Sequence, residues 1–101
     1  MVEGGYAITL KTPIGRKRGV VYIVEGDGRV IAKVVVDGME KRLYGLMDYD
    51  LDAFTLFGTL ETPVACDFRV VGTVSGDAIA AQFITDHSVW DINGQRIRQQ
   101  S

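Results

Sequence analysis

The chain reads as an all-β domain: an eight-stranded antiparallel meander closed into a barrel. Three observations lead there. Apolar and polar residues alternate along most of the sequence, the period of a half-buried strand, and no stretch of ten or more residues holds a helical period. Turn-forming glycine and aspartate punctuate the alternating runs, at Gly26-Asp27-Gly28, Asp37-Gly38 and Gly76-Asp77. The chain also resembles itself. Across positions 10–27, eight of eighteen residues (Leu10, Thr12, Pro13, Val20, Val21, Val24, Gly26 and Asp27) recur at an offset of 50. Gly28 then has no counterpart, and the match resumes at an offset of 49, with Ala32 recurring as Ala81, Asp37 as Asp86 and Gly45 as Gly94. The reading is one domain, 1–101, made of two similar halves at about 5–47 and 53–97, with four strands in each.

Taken in order, Tyr6 to Lys11 alternates with Tyr6, Ile8 and Leu10 on one face. Thr12-Pro13-Ile14-Gly15 ends this strand, since proline lacks a donor and fixes φ. Arg16-Lys17-Arg18-Gly19 continues the loop or opens the next strand. Val20 to Glu25 is β-branched and aromatic, which suits a pleated surface. Gly26-Asp27-Gly28 makes a hairpin into Val30–Val36, and Asp37-Gly38 makes another into Met39–Met47. The facing of 39–47 is open: the internal match pairs Leu43 with Ile92 and turns Leu43 inward, while Tyr44 and Leu46 favour the other register. Asp48-Tyr49-Asp50-Leu51-Asp52 joins the halves. Phe54–Leu60 alternates up to Thr62-Pro63, Cys66–Val74 up to Ser75-Gly76-Asp77, and Ile79–Thr85 up to Asp86-His87-Ser88. Val89-Trp90-Asp91-Ile92 begins the last strand, and the polar tail from Arg98 to Ser101 is expected to fray.

Short turns force antiparallel neighbours. A meander of this length must hide its edges, and closure removes them. A two-sheet β-sandwich satisfies the same alternation and is the alternative. The expected inward set is Tyr6, Ile8, Leu10, Val20, Tyr22, Val24, Val30, Ala32, Val34, Phe54, Leu56, Leu60, Phe68, Val70, Val74, Ile79, Ala81, Phe83, Trp90 and Ile92. Val21 and Ile23, with Ile31 and Val35 on the next strand, are expected to form an apolar patch on the outer wall. Phe57, Val71 and Ile84 do something similar in the second half. A monomer seldom exposes such a patch, so a homo-oligomer is expected, with Val21, Ile23, Ile31 and Val35 at its interface.

An apolar fraction of 47% and a charged fraction of 24% are ordinary for a globular chain. A net charge of −2 gives no general support for nucleic-acid binding. No apolar run approaches the roughly 20 residues of a membrane-spanning helix, and Met1-Val2-Glu3-Gly4-Gly5 lacks the character of a secretory leader. With a single cysteine, Cys66, no internal disulfide forms. The expectation is a cytoplasmic protein with no nucleic-acid or membrane partner.

Few residues invite chemistry. His87, in Asp86-His87-Ser88, reads as part of a turn, because adjacent residues on an extended chain cannot converge as a triad. Cys66 lies on an apolar face and reads as a small core residue. Asp48, Asp50 and Asp52 have the spacing of a calcium loop, but Ala53 and Thr59 stand where that loop needs glycine and glutamate. The three read as a solvated linker. Arg16-Lys17-Arg18 is the one basic run and reads as a solvated loop, with an acidic or phosphate partner as the other possibility. Gly45, Gly58, Gly72 and Gly94 mark barrel bends, bulges or a ligand's close approach. No metal site, cofactor or catalytic residue is assigned, and an enzyme is not expected.

The meander, the chain length, the Gly-Asp hairpins and the glycine-punctuated last strand resemble the small streptavidin-like, calycin-type barrels. That resemblance implies a small ligand held at a barrel mouth or interior. Avidin-like sites use several tryptophans, whereas this chain has only Trp90, so no binding residue carries over. The function expected is a non-catalytic barrel that binds a small apolar ligand, with Tyr6, Tyr22 and Trp90 as contacts. The alternative is a structural or protein-interaction module with a filled barrel, acting through its outer face or the Arg16–Arg18 loop. A small barrel isomerase or cyclase would need a polar cluster around Tyr22, Trp90 or His87.

Overall fold

A computed structural model describes residues 2–60 and 65–98. Eight strands follow one another: β1 (Gly4–Thr12), β2 (Gly15–Gly26), β3 (Arg29–Val36), β4 (Met39–Asp48), β5 (Ala53–Leu60), β6 (Cys66–Ser75), β7 (Ala78–Ile84) and β8 (Val89–Arg96). Each pairs antiparallel with the next, and β8 pairs with β1, which closes the barrel. The sandwich alternative is thereby set aside. The Arg16-Lys17-Arg18 run opens β2 rather than extending the loop. The Glu61-Thr62-Pro63 segment and the end of the polar tail, from Gln99, lie outside the described residues.

Two hairpins set the facing of the first half. Asp27 and Gly28 have φ of 55° and 76°, and Asp37 and Gly38 have 53° and 75°. Positive φ at both central residues is the two-residue turn whose twist matches that of the flanking strands. The first turn therefore pairs Gly26 with Arg29, Ile23 with Ala32 and Val21 with Val34. Side chains directly opposite share a face. Ala32 is fully buried, so Ile23 (2% exposed) and Val21 (6%) point inward with it.

This corrects the expected facing of β2. Tyr22 and Val24 lie on the outer wall, 47% and 56% exposed, and Val20 shares that face. Val21 and Ile23 are core residues, so the outer patch expected from them together with Ile31 and Val35 does not form. Reading Gly26-Asp27-Gly28 as the whole turn shifts the strand by one residue, and a one-residue slip exchanges the two faces. The halves differ accordingly. Val20 and Val24 face out, while their matches Val70 and Val74 are 8% and 4% exposed on the inner face. From β2 onward an offset of 49 preserves the facing, so the one-residue difference falls between the strands of the first pair, before β2, and not at Gly28.

The second turn pairs Val36 with Met39 and Ala32 with Leu43. Leu43 is 4% exposed and faces in, while Tyr44 and Leu46 face out. The rest of the core is as expected, with Tyr6, Ile8, Val30, Phe54, Leu56, Phe68, Val74, Ile79 and Ala81 all buried.

One end of the barrel is sealed. Val2 is fully buried there, and its carbonyl accepts a hydrogen bond from the Tyr6 hydroxyl. Arg96 fastens the seal. Its Nη1 donates to the Glu3 carbonyl at 2.6 Å, its Nη2 to the Gly76 carbonyl at 3.4 Å, and its Nε lies 3.4 Å from the Asp77 carboxylate. The same guanidinium stands 4.9 Å from the centre of the Tyr6 ring. The β2–β3 and β4–β5 turns meet at this end, where Gly28 N donates to the Tyr49 hydroxyl at 3.1 Å.

Candidate functional site

The other end opens into a cavity of about 510 Å³. Its depth is lined by Ile8, Val21, Ile23, Leu43, Phe54, Leu56, Val70, Ile79 and Ala81, and its outer part by Leu10, Val34, Val36, Met39, Leu60, Phe68, Phe83, Trp90 and Ile92. Apart from Glu40 and Lys41 at the mouth, every described lining residue is apolar or aromatic. This volume falls within the usual range of ligand pockets.

The cavity exists because the large rings lie flat against the wall. Phe54 stands directly opposite Gly72, and Phe68 opposite Gly58. A β-carbon on Gly72 would come 2.6 Å from Phe54 Cζ and 2.7 Å from Ala81 Cβ. Glycine lets the ring occupy that space instead of projecting to the barrel axis. Ala32 and Ala81 keep the facing positions short. These glycines therefore seat aromatic rings, a use beyond the bends and bulges expected of them.

Phe68, Phe83 and Trp90 form an aromatic ladder across β6, β7 and β8 near the mouth. Ring centroids are 4.6 Å apart for Phe68–Phe83 and 5.4 Å for Phe83–Trp90, with interplanar angles of 28° and 15°. Stacked rings of this kind offer a flat, polarisable surface to a guest. Beside the ladder, Lys41 brings a positive charge to the mouth. Its Nζ donates to the Thr59 carbonyl at 2.6 Å and stands 5.9 Å from the centre of the Phe68 ring. Lys17 on the rim is held by Asp37 at 2.8 Å.

The expected contact residues separate. Trp90 lines the cavity. Tyr6 points inward but lies below the cavity, in the sealed end, where its hydroxyl is committed to Val2. Burial raises its pKa above the ordinary 10.0, and Arg96 pulls in the opposite direction. Tyr22 lies on the outside with its ring over Gly5, and Lys33 Nζ is 5.8 Å from the ring centre. Of the expected interface residues, Val21 and Ile23 line the cavity, while Ile31 and Val35 face outward. The rim set of Val36, Met39 and Lys41 was missed by sequence reasoning. The Asp37-Gly38 turn contained the signal, because a two-residue loop places Val36, Met39 and Lys41 on one face.

The remaining candidates have local explanations. In the β7–β8 turn the Thr85 hydroxyl accepts from His87 N at 3.2 Å and Ser88 N at 3.0 Å. Asp48 Oδ1 accepts from Asp50 N at 3.1 Å, which closes a side-chain turn before β5. Cys66 begins β6 at the rim and is half-buried, less enclosed than the core position expected of it. Glu25 faces inward in the sealed end, and among the described residues its buried Oε2 has no hydrogen-bond partner. Among the described residues, no three of His, Cys, Asp and Glu come together as a metal-binding set. What the arrangement can do chemically is exclude water from an apolar guest, stack against it, and present Lys41 and Glu40 at the entrance. Compared with known protein families, curated proteins and solved structures, the chain has no significant match.

Proposed function

We propose that this protein binds one small, mainly apolar molecule inside the barrel and does no chemistry on it. The observation that carries the reading is the apolar cavity, open at one end and walled by aliphatic side chains and the Phe68–Phe83–Trp90 ladder. Transfer of apolar surface from water drives such binding at about 25 cal/mol per Å². The open interior, with its rings against the wall, favours this reading over a structural or protein-interaction module with a filled barrel. The closed eight-stranded meander is also the architecture in which streptavidin-like and calycin-type proteins hold small ligands. That likeness supports the reading by analogy of fold alone.

Trp90 is the only tryptophan, so occupancy is readable from its emission. The test is a titration with the neutral apolar dye N-phenyl-1-naphthylamine, following energy transfer from Trp90. Saturable one-to-one transfer is expected, weakened at least tenfold by Ala81→Leu, which projects carbon into the cavity. No saturable binding, or binding that a folded Ala81→Leu variant leaves unchanged, would overturn the proposal.

A further inference from the structure

The outer wall carries an apolar strip that no described part of the chain covers. Val24, Ile31, Tyr44 and Phe57 stand directly opposite one another on β2, β3, β4 and β5. They are 56%, 47%, 56% and 52% exposed. Leu46 and Val71, one row nearer the sealed end, are 60% and 39% exposed. At 150–250 Å² for a large side chain, these half-open residues present roughly 500 Å² of surface. That is near the upper limit of what monomers leave bare, and with its charged borders it approaches the ~800 Å² per partner of a stable interface.

The borders carry opposite charges. Towards the mouth lies the row of Lys33 and Arg42, paired across β3 and β4. Lys33 is held by Glu40 at 3.2 Å, so Arg42 is the cation this border presents, while exposed Arg69 ends the strip beside Phe57. Towards the sealed end lies Asp48, two residues beyond Leu46 on the same face, with Asp50 in the turn that follows. We propose that the strip is a two-fold interface between two copies of this chain, related by an axis that runs along the strip across the strands. Such an axis turns the second copy end for end. It sets apolar row on apolar row and brings the Arg42 border of each copy over the Asp48 border of the other. An isologous contact needs this self-complementarity. A membrane surface or nucleic acid would meet Asp48 and Asp50 unfavourably, whereas a second copy pairs them. Arg29, opposite Leu46 inside the strip, is accommodated because a guanidinium stacks on aromatic rings.

Sedimentation equilibrium from micromolar to several hundred micromolar protein, at low salt, tests this. The wild type is expected at the mass of two chains in the upper range, and Ile31→Lys with Tyr44→Lys at the mass of one, with unchanged far-ultraviolet circular dichroism. Arg42→Glu alone should weaken association about tenfold, and Asp48→Arg added to it should restore most of the loss. A wild type of single-chain mass throughout would overturn the proposal. So would a dimer indifferent to the lysine substitutions, or an Arg42→Glu defect that Asp48→Arg leaves in place.

Discussion

Gly72→Ala tests why the barrel is hollow. The added methyl would sit 2.6 Å from Phe54 Cζ, 2.7 Å from Ala81 Cβ and 3.1 Å from the Ala80 carbonyl oxygen. Ordinary carbon contacts begin near 3.5 Å, so two carbon contacts must open by almost an ångström. Phe54 can yield, because the cavity lies beside it, but Ala81 Cβ is fixed to the backbone of β7. Overpacking with one yielding neighbour and one rigid neighbour costs about 1–3 kcal/mol. For a chain of this size that is roughly 4–8 °C in Tm per kcal/mol. Shortening the ring as well, with Phe54→Leu, removes the more adjustable of the two clashes. Urea unfolding of the wild type, both single variants and the double variant gives the coupling directly. The double variant is expected to be more stable than the sum of the single losses by about 1 kcal/mol, within the usual range for residues in contact. Strict additivity would show that Phe54 does not occupy the space above Gly72, and the account of the open interior would fail with it.

Other expectations follow from the same geometry. Ile23→Ala should cost about 2–4 kcal/mol, and Val24→Ala, 56% exposed, under about 0.5; equal costs in urea unfolding would reverse the facing assigned to β2. Tyr6→Phe should lose about 1 kcal/mol at neutral pH through the bond to the Val2 carbonyl. Because burial raises the native pKa of Tyr6, the unfolded chain releases this proton first as pH rises through about 10. Native stability therefore falls from there up to the native pKa, and thermal melts of Tyr6→Phe between pH 9 and 12 should show a shallower decline than the wild type. Asp27, at φ 55°, should accept asparagine with little change, while Asp27→Val should cost about 1–2 kcal/mol in chemical denaturation.

Much of this architecture is legible in the residues. Alternation and turn chemistry are local properties, and they specify eight strands and their antiparallel order without knowledge of tertiary contacts. The facing of β2 was legible too, but only through consistency. Once Val30, Ala32 and Val34 are placed inside, a two-residue Asp27-Gly28 turn obliges Val21 and Ile23 to join them. Counting Gly26 into the turn breaks that link and places Tyr22 inside. The identical residues of the two halves reinforced the error, since Val20 and Val70 match in type while facing opposite ways. The cavity itself was not legible. Whether Phe54 and Phe68 fill the centre depends on their standing opposite Gly72 and Gly58. That register is set across a connection, from Leu60 to Cys66, whose length alone does not fix it. The role of Lys41 needed the same kind of cross-strand information from the next hairpin.

The seal made by Val2, Tyr6 and Arg96 has a kinetic consequence. A chamber with a single doorway is a cul-de-sac: whatever leaves must retrace its path of entry. Arrival and departure then share one bottleneck, the rim around Met39 and Lys41. Narrowing that rim would slow both rates together and leave the equilibrium occupancy nearly unchanged. For the ligand binding proposed above, such a barrel would retain a guest rather than pass it through, with a residence time set separately from its affinity.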